Sequence, residues 1–223
     1  ELLNVWKDEI PVEVFTETFT PPVTDGSGND RKNLLKAKEI LEQEGWFVEN
    51  GKLLKEGKEF KFEFLIVSPS DEKIALAYQS NLKKLGITMD VRTVDSSQYQ
   101  ERLLSYDFDM IKRYWGVSLS PGNEQQFYWG SEVGQKDGSR NYPGINSPAV
   151  DAMIEKLINA ENREELTTAI HALDRILLWG HYVIPLYHSN KDRMAYWDFF
   201  EYPDEIPLYG IVIESWWINK DKQ

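Results

Sequence analysis

Two carboxylates, Asp107 and Asp109, stand one residue apart, a spacing compatible with general acid–base catalysis. A chain with 37 acidic residues offers such pairs by chance, and a solvated strand edge accounts for them equally well. The three histidines, His171, His181 and His188, fall in no HExxH or other ligand spacing. His171 and Asp174, three apart on a helix, form an ordinary surface pairing. Ser118 and Ser120 lie outside any GxSxG turn. Gly26-Ser27-Gly28 has no strand before it and no Lys-Ser/Thr after it, so it is not a phosphate loop. No catalytic residue, metal ligand or cofactor is therefore expected.

A denser group of residues suits recognition. Tyr114, Trp115, Phe127, Tyr128, Trp129 and Tyr142 gather around one loop system. Ser118, Ser120, Asn123, Gln125, Gln126 and Asn141 add neutral hydrogen-bonding groups, and Arg140 adds a cation. A pocket needs a flat apolar wall beside sparse polar groups, and Trp115 at the end of a strand can supply it. For Phe127, Tyr128 and Trp129, packing beneath the loop as a satellite cluster is an equal alternative. Strand alternation puts Met110, Lys112 and Tyr114 on one face, and Ile111, Arg113 and Trp115 on the other. Lys112 or Arg113 can offer charge to an acidic ligand group, or either can snorkel to solvent.

The pattern around the loop is that of an α/β sheet. Asp30 can cap a helix bearing Leu34, Ala37 and Leu41, with Gly45 ending it, and Asn50-Gly51-Lys52 reads as a hairpin turn. FKFEFLIV (60–67) alternates and then turns wholly apolar, as a strand entering a buried sheet does. A helical face of Ile74, Tyr78, Leu82 and Leu85 and a second strand, ITMDV, complete a βαβ unit with parallel strands. A short helix over 98–105 and a strand FDMIKRYW follow. Ser147-Pro148 starts an amphipathic helix, Asn162 caps another, and YVIPLYH predicts a short edge strand. The segment before Asp30 is irregular, and the tail after Asn190 is aromatic, proline-rich and aperiodic.

Composition sets outer bounds. Hydrophobic residues at 41% can fill a core, and eight Trp, eleven Tyr and ten Phe exceed what the core needs. A net charge of −12 argues against nucleic acid and anionic membrane as partners. The absence of cysteine excludes a disulfide framework and a thiolate metal site. No apolar run reaches the roughly 18 residues of a spanning helix. The opening ELLNVWKDEIPVEVF is unlike a signal peptide and reads as mid-chain sequence, so a mature fragment or excised lobe is expected.

YWGVSLSPGNEQQ, NYPGINSPAVDAMI and ALDRILLWGHYVIPLYH resemble the C-terminal lobe of the periplasmic peptide-binding proteins of ABC transporters, solute-binding family 5. FTPPVTDGSGNDRKNL, FLIVSP, VRTVDSSQYQ, FDMI and MAYWDFF resemble its branch linked to oligopeptide and microcin C uptake. The resemblance implies a type II two-lobed binding protein of the peptide-binding class, of which this chain is one α/β lobe with a central mixed sheet flanked by helices. It divides the chain into an extended segment 1–29 that wraps or links to the missing N-terminal lobe, a ligand-binding lobe 30–190, and a tail 191–223 that returns toward the other lobe. The implied protein is a periplasmic, extracytoplasmic monomer and not an enzyme. It would capture a peptide or peptide-like ligand by hinge closure and dock on an inner-membrane ABC permease. In well-known members an aspartate three residues after the loop tryptophan holds the peptide amino terminus; here that residue is Ser118, which cannot make the same charge-assisted bond. Lys112, three residues before Trp115, is compatible with the basic residue found there in the family. The candidate ligand-binding set is thus Lys112, Tyr114, Trp115, Gly116, Ser118, Asn123, Arg140, Asn141 and Tyr142. Tryptophan and amide-rich loops also hold sugars, so an oligosaccharide receptor is the alternative; a hydrolase built on buried carboxylates and a histidine is the other class.

Overall fold

The computed structural model describes residues 1–28, 30–116, 119–134, 136–187, 191, 193–208 and 210–222. Ser118 and His188 lie outside the described residues. The chain forms two compact units, Glu1–Val183 and Ile184–Gln223.

The first unit is built around a three-stranded parallel sheet. Strand β4 (Lys61–Ile66) runs between β5 (Thr88–Thr93) and β6 (Met110–Ile111), with Lys61 opposite Thr88 and Phe64 opposite Met110. Its apolar run is explained by burial on both faces. Phe64 and Ile66 pack with Ala75 and Leu82 of α3 (Pro69–Lys83) and with Met89. Leu65, pointing the other way, packs with Val94 and with Tyr99 and Leu103 of α4 (Ser96–Leu104). Helices therefore cover both sheet faces, as the βαβ pattern requires. Antiparallel pairing is confined to small sheets. In the first unit β1 (Phe47–Glu49), β2 (Lys52–Lys55) and β3 (Lys58–Glu59) form a meander. Asn50 and Gly51, with φ of 51° and 80°, make its first turn, which suits an Asn-Gly pair.

The helix signals hold in detail. The Asp30 carboxylate accepts from the Asn33 amide at 3.2 Å and starts α2 (Arg31–Gln43). Ser147 caps α7 (Pro148–Ile158), its hydroxyl accepting from the Val150 amide at 3.4 Å. Asn162 caps α8 (Arg163–Trp179), its Oδ1 accepting from the Glu165 amide at 3.0 Å while its Nδ2 donates to the Glu165 carboxylate at 2.8 Å. Helices α7 and α8 pack through Val150, Met153, Leu173 and Ile176. The start of the chain, expected as extended, instead folds onto this pair. A 3₁₀ turn at Asn4–Trp6 and α1 (Glu13–Thr16) bury Leu3, Ile10 and Val14 against it. Arg175 of α8 ties it down, donating from Nε to the Val14 carbonyl at 2.6 Å.

Two expected strands differ. FDMIKRYW pairs only at Met110–Ile111, because side chains take the backbone partners on either side. Asp109 accepts from the Glu63 amide at 2.8 Å, and the Tyr99 hydroxyl donates to the Lys112 carbonyl at 3.2 Å. Residues 182–187 form no strand: Pro185 lacks an amide proton, and no described strand pairs with them. The second compact unit begins at Ile184 rather than 191. It holds a two-stranded antiparallel sheet, β7 (Phe200–Glu201) with β8 (Trp217–Ile218), and the ring cluster Tyr196, Tyr202 and Trp216.

Gly86, between α3 and β5, has φ of +78°, and a Cβ there would stand 2.9 Å from the Leu53 amide nitrogen. Gly86→Ala is expected to destabilise the chain by about 2 kcal/mol or more, read as a lower thermal unfolding midpoint. An unchanged midpoint would show that the β2 backbone yields at no cost.

Candidate ligand-binding site

The site is assembled where β6 ends. Lys112 pairs with Asp71 in the first turn of α3, with side-chain exposures of 15% and 13%, and its Nζ lies 5.5 Å from the Tyr114 ring centroid. The Asp71 hydrogen bond holds the Lys112 ammonium above the usual lysine range. Its charge is thus matched by Asp71. Arg113 takes the other direction. Its guanidinium lies 4.9 Å from the Tyr142 ring centroid and donates to the Tyr142 hydroxyl at 2.9 Å. Tyr114 is 82% exposed.

Trp115 is half-buried between two rings rooted in different parts of the core. Its centroid is 5.1 Å from Trp129, tilted 33°, and 6.3 Å from Tyr142. Trp129 packs against the α7–α8 core, and Tyr142 against the cluster on the α4 side of the sheet. The indole Nε1 donates to the Arg140 carbonyl at 3.4 Å. The Gly116 carbonyl accepts from the Tyr128 hydroxyl at 2.9 Å.

The polar loop after Trp115 contains a helix that its sequence did not signal, α5 (Glu124–Trp129), followed by the single turn α6 (Ser131–Gly134). It settles the alternatives for the three aromatics. Tyr128 is buried, Trp129 is the ring partner of Trp115, and Phe127 is exposed. Gln125 is buried and its Oε1 accepts from the Trp129 indole at 3.0 Å. Asn123 is exposed at the start of α5 and makes no capping bond.

Asn141 is corrected from ligand contact to internal brace. It is 0% exposed. Its Nδ2 donates to the carbonyls of Gly130 and Ile145 at 3.0 and 2.8 Å, and its Oδ1 accepts from the Ile145 amide at 2.9 Å. Arg140, its neighbour, is exposed, and among the described residues its guanidinium has no hydrogen bond or ion pair. The structure therefore brings Trp115, Tyr142 and Arg113 together with Trp129, joins Arg140 to them through its main-chain carbonyl, pairs Lys112 with Asp71 and buries Asn141. Arg113 and Trp129 were each visible only as one of two alternatives; their common contact with the Trp115–Tyr142 pair distinguishes them.

Both carboxylates considered for catalysis have structural partners. Asp107 accepts from Arg102 Nε at 2.8 Å, and Asp109 holds β4. His171 is exposed, and His181 packs beside Phe19 and Trp179. Among the described residues no group of three His, Cys, Asp or Glu could hold a metal, and no helix is long and apolar enough to cross a membrane. A hollow of about 380 Å³ lined by Ile10, Ser147, Gly180 and Tyr182 shares no residue with the aromatic site.

Residues 8–137 match the bacterial extracellular solute-binding proteins, family 5 Middle. The chain belongs to this family. Among family relatives, the uncharacterized protein y4wM of Sinorhizobium fredii is 48% identical over 218 residues, 96% of this chain and 33% of its own length. The probable peptide-binding protein YejA of Agrobacterium fabrum is 40% identical over 223 residues, 99% of this chain and 36% of its own. The chain thus spans about a third of the length of these relatives. Among solved structures, the oligopeptide-binding protein AppA from Bacillus subtilis, in complex with a nonapeptide, superposes with a TM-score of 0.61 at 22% identity. The match covers 81% of this chain and 37% of AppA. The fold is that of a lobe of the type II peptide-binding class.

Proposed function

We propose that the full-length protein is a periplasmic receptor of an ABC importer, which encloses a peptide or peptide-like compound between two lobes and delivers it to an inner-membrane permease. The observation that carries this reading is the Trp115 wall. A half-buried indole in ring contact with Trp129 and Tyr142, with the exposed Arg113 beside Tyr142, is suited to holding a ligand. The relative named as peptide-binding supports a peptide over a sugar. Residues 30–190 would form most of one wall of the site, with 1–29 and 191–223 joining it to the rest of the polypeptide. Ser118 in place of a carboxylate favours a ligand held other than by a free amino terminus, which includes peptide-like compounds of the microcin C kind.

The test is thermal unfolding of the full-length protein with a mixed peptide pool and, separately, an oligosaccharide pool. A ligand at a hundredfold excess over its Kd adds about 2.7 kcal/mol to the folded state. A rise in melting temperature with peptides is expected. No rise with peptides, or a rise with sugars alone, would overturn the reading.

A further inference from the structure

The second unit, Ile184–Gln223, holds a hollow of its own, of about 220 Å³. Tyr196, Tyr202 and Trp216 line it with rings, Met194 and Ile206 with aliphatic groups, and Glu205 with a carboxylate. The rings fix one another at a corner. Tyr196 stands at 85° to Tyr202 and 77° to Trp216, with centroids 5.7 and 4.9 Å away. Tyr202 and Trp216 lie within 32° of each other at 5.0 Å. The Tyr196 hydroxyl donates to the Tyr202 hydroxyl at 3.2 Å.

Aliphatic walls alone would suit any apolar group, and two features add a preference for positive charge. Aromatic faces carry the negative part of the ring quadrupole and attract cations. The surrounding charge has the same sign. From Met194 to Asn219 the sequence carries Asp198, Glu201, Asp204, Glu205 and Glu214 and no lysine, arginine or histidine. Glu201 is taken up by Asn219 and Trp217, whereas Glu205, at the hollow, makes no hydrogen bond or ion pair among the described residues. A ring-lined hollow with an unmatched carboxylate is complementary to a cation that carries apolar substituents.

We propose that this hollow binds an organic cation, an ammonium on an apolar stem, held by the faces of Tyr196, Tyr202 and Trp216 and by Glu205. The ammonium has two sources, a free small molecule or a lysine side chain. The proposal is independent of the Trp115 site, so its failure leaves the peptide-binding reading standing.

The experiment is calorimetric titration of the full-length protein with choline and with its neutral isostere, the dimethylbutanol in which carbon replaces the nitrogen. Choline should bind about tenfold more tightly or better. Tyr196→Leu should weaken choline about tenfold, and Tyr196→Phe, which keeps the ring face, should retain most of the affinity. Glu205→Gln tests the charge without removing a packed ring and should cost about threefold. Equal affinity for choline and the isostere would show an apolar hollow only and overturn the proposal. Absence of choline binding, or binding unaltered in both Y196L and E205Q, would overturn it as well. Once choline binds as expected, a capped pentapeptide with a central lysine is compared with its norleucine counterpart. A lysine preference that choline abolishes assigns the ammonium to a side chain. A preference that is absent, or that choline leaves unchanged, assigns it to a free small molecule.

Discussion

Trp115→Ala in the full-length protein is expected to weaken ligand binding by about 30-fold or more while leaving the fold intact. Tryptophans at the centre of a recognition surface commonly contribute at least about 2 kcal/mol, and each 1.4 kcal/mol is a tenfold change. The geometry argues for the upper part of that range. The indole is held by ring contacts with Trp129 and Tyr142, and its N–H is committed to the Arg140 carbonyl. It therefore loses little further freedom when a ligand arrives. Trp115→Phe keeps an aromatic face and gives up the Arg140 bond, so an intermediate loss is expected. Calorimetric titration reads both variants, and an unaltered affinity in Trp115→Ala would remove this residue from the site.

The largest stability effect should come from a residue the sequence placed among the ligand contacts. Asn141→Ala strips three partners at once: the Gly130 carbonyl, the Ile145 carbonyl and the Ile145 amide. A buried backbone group left unsatisfied costs about 1–3 kcal/mol. A loss of about 3–5 kcal/mol is expected, a large fraction of ordinary domain stability. Asn141→Asp separates hydrogen bonding from packing. It keeps the shape but faces two carbonyl oxygens with a carboxylate, and should be at least as damaging. Chemical denaturation of the chain measures both. An Asp variant as stable as the original would contradict the bracing role.

What the sequence showed and what it hid divide along a physical line. Local signals were legible: the Asp30, Ser147 and Asn162 caps, the Asn50-Gly51 turn, and the apolar run of β4. Each depends on residues within a few positions of one another. Partners distant in sequence were not. Lys112 and Asp71 are 41 residues apart, and Asp109 reaches the Glu63 amide 46 residues away. Nothing in the composition of either segment marks the other as its partner. Residues 182–187 have strand-like composition, yet composition cannot provide the neighbouring strand that pairing needs. Trp115 stood out by its type and its place at the end of a strand-like run. The division of labour between Lys112 and Arg113 was not legible, because it depends on which way the chain turns once β6 ends at Ile111.

The most direct measurement is mass spectrometry of whatever the full-length protein carries when purified under native conditions and then denatured to release it. A peptide or a peptide-bearing compound is the expected result. Release of an oligosaccharide, or turnover of a bound peptide by the purified protein, would contradict the account of Trp115 as the wall of a peptide receptor.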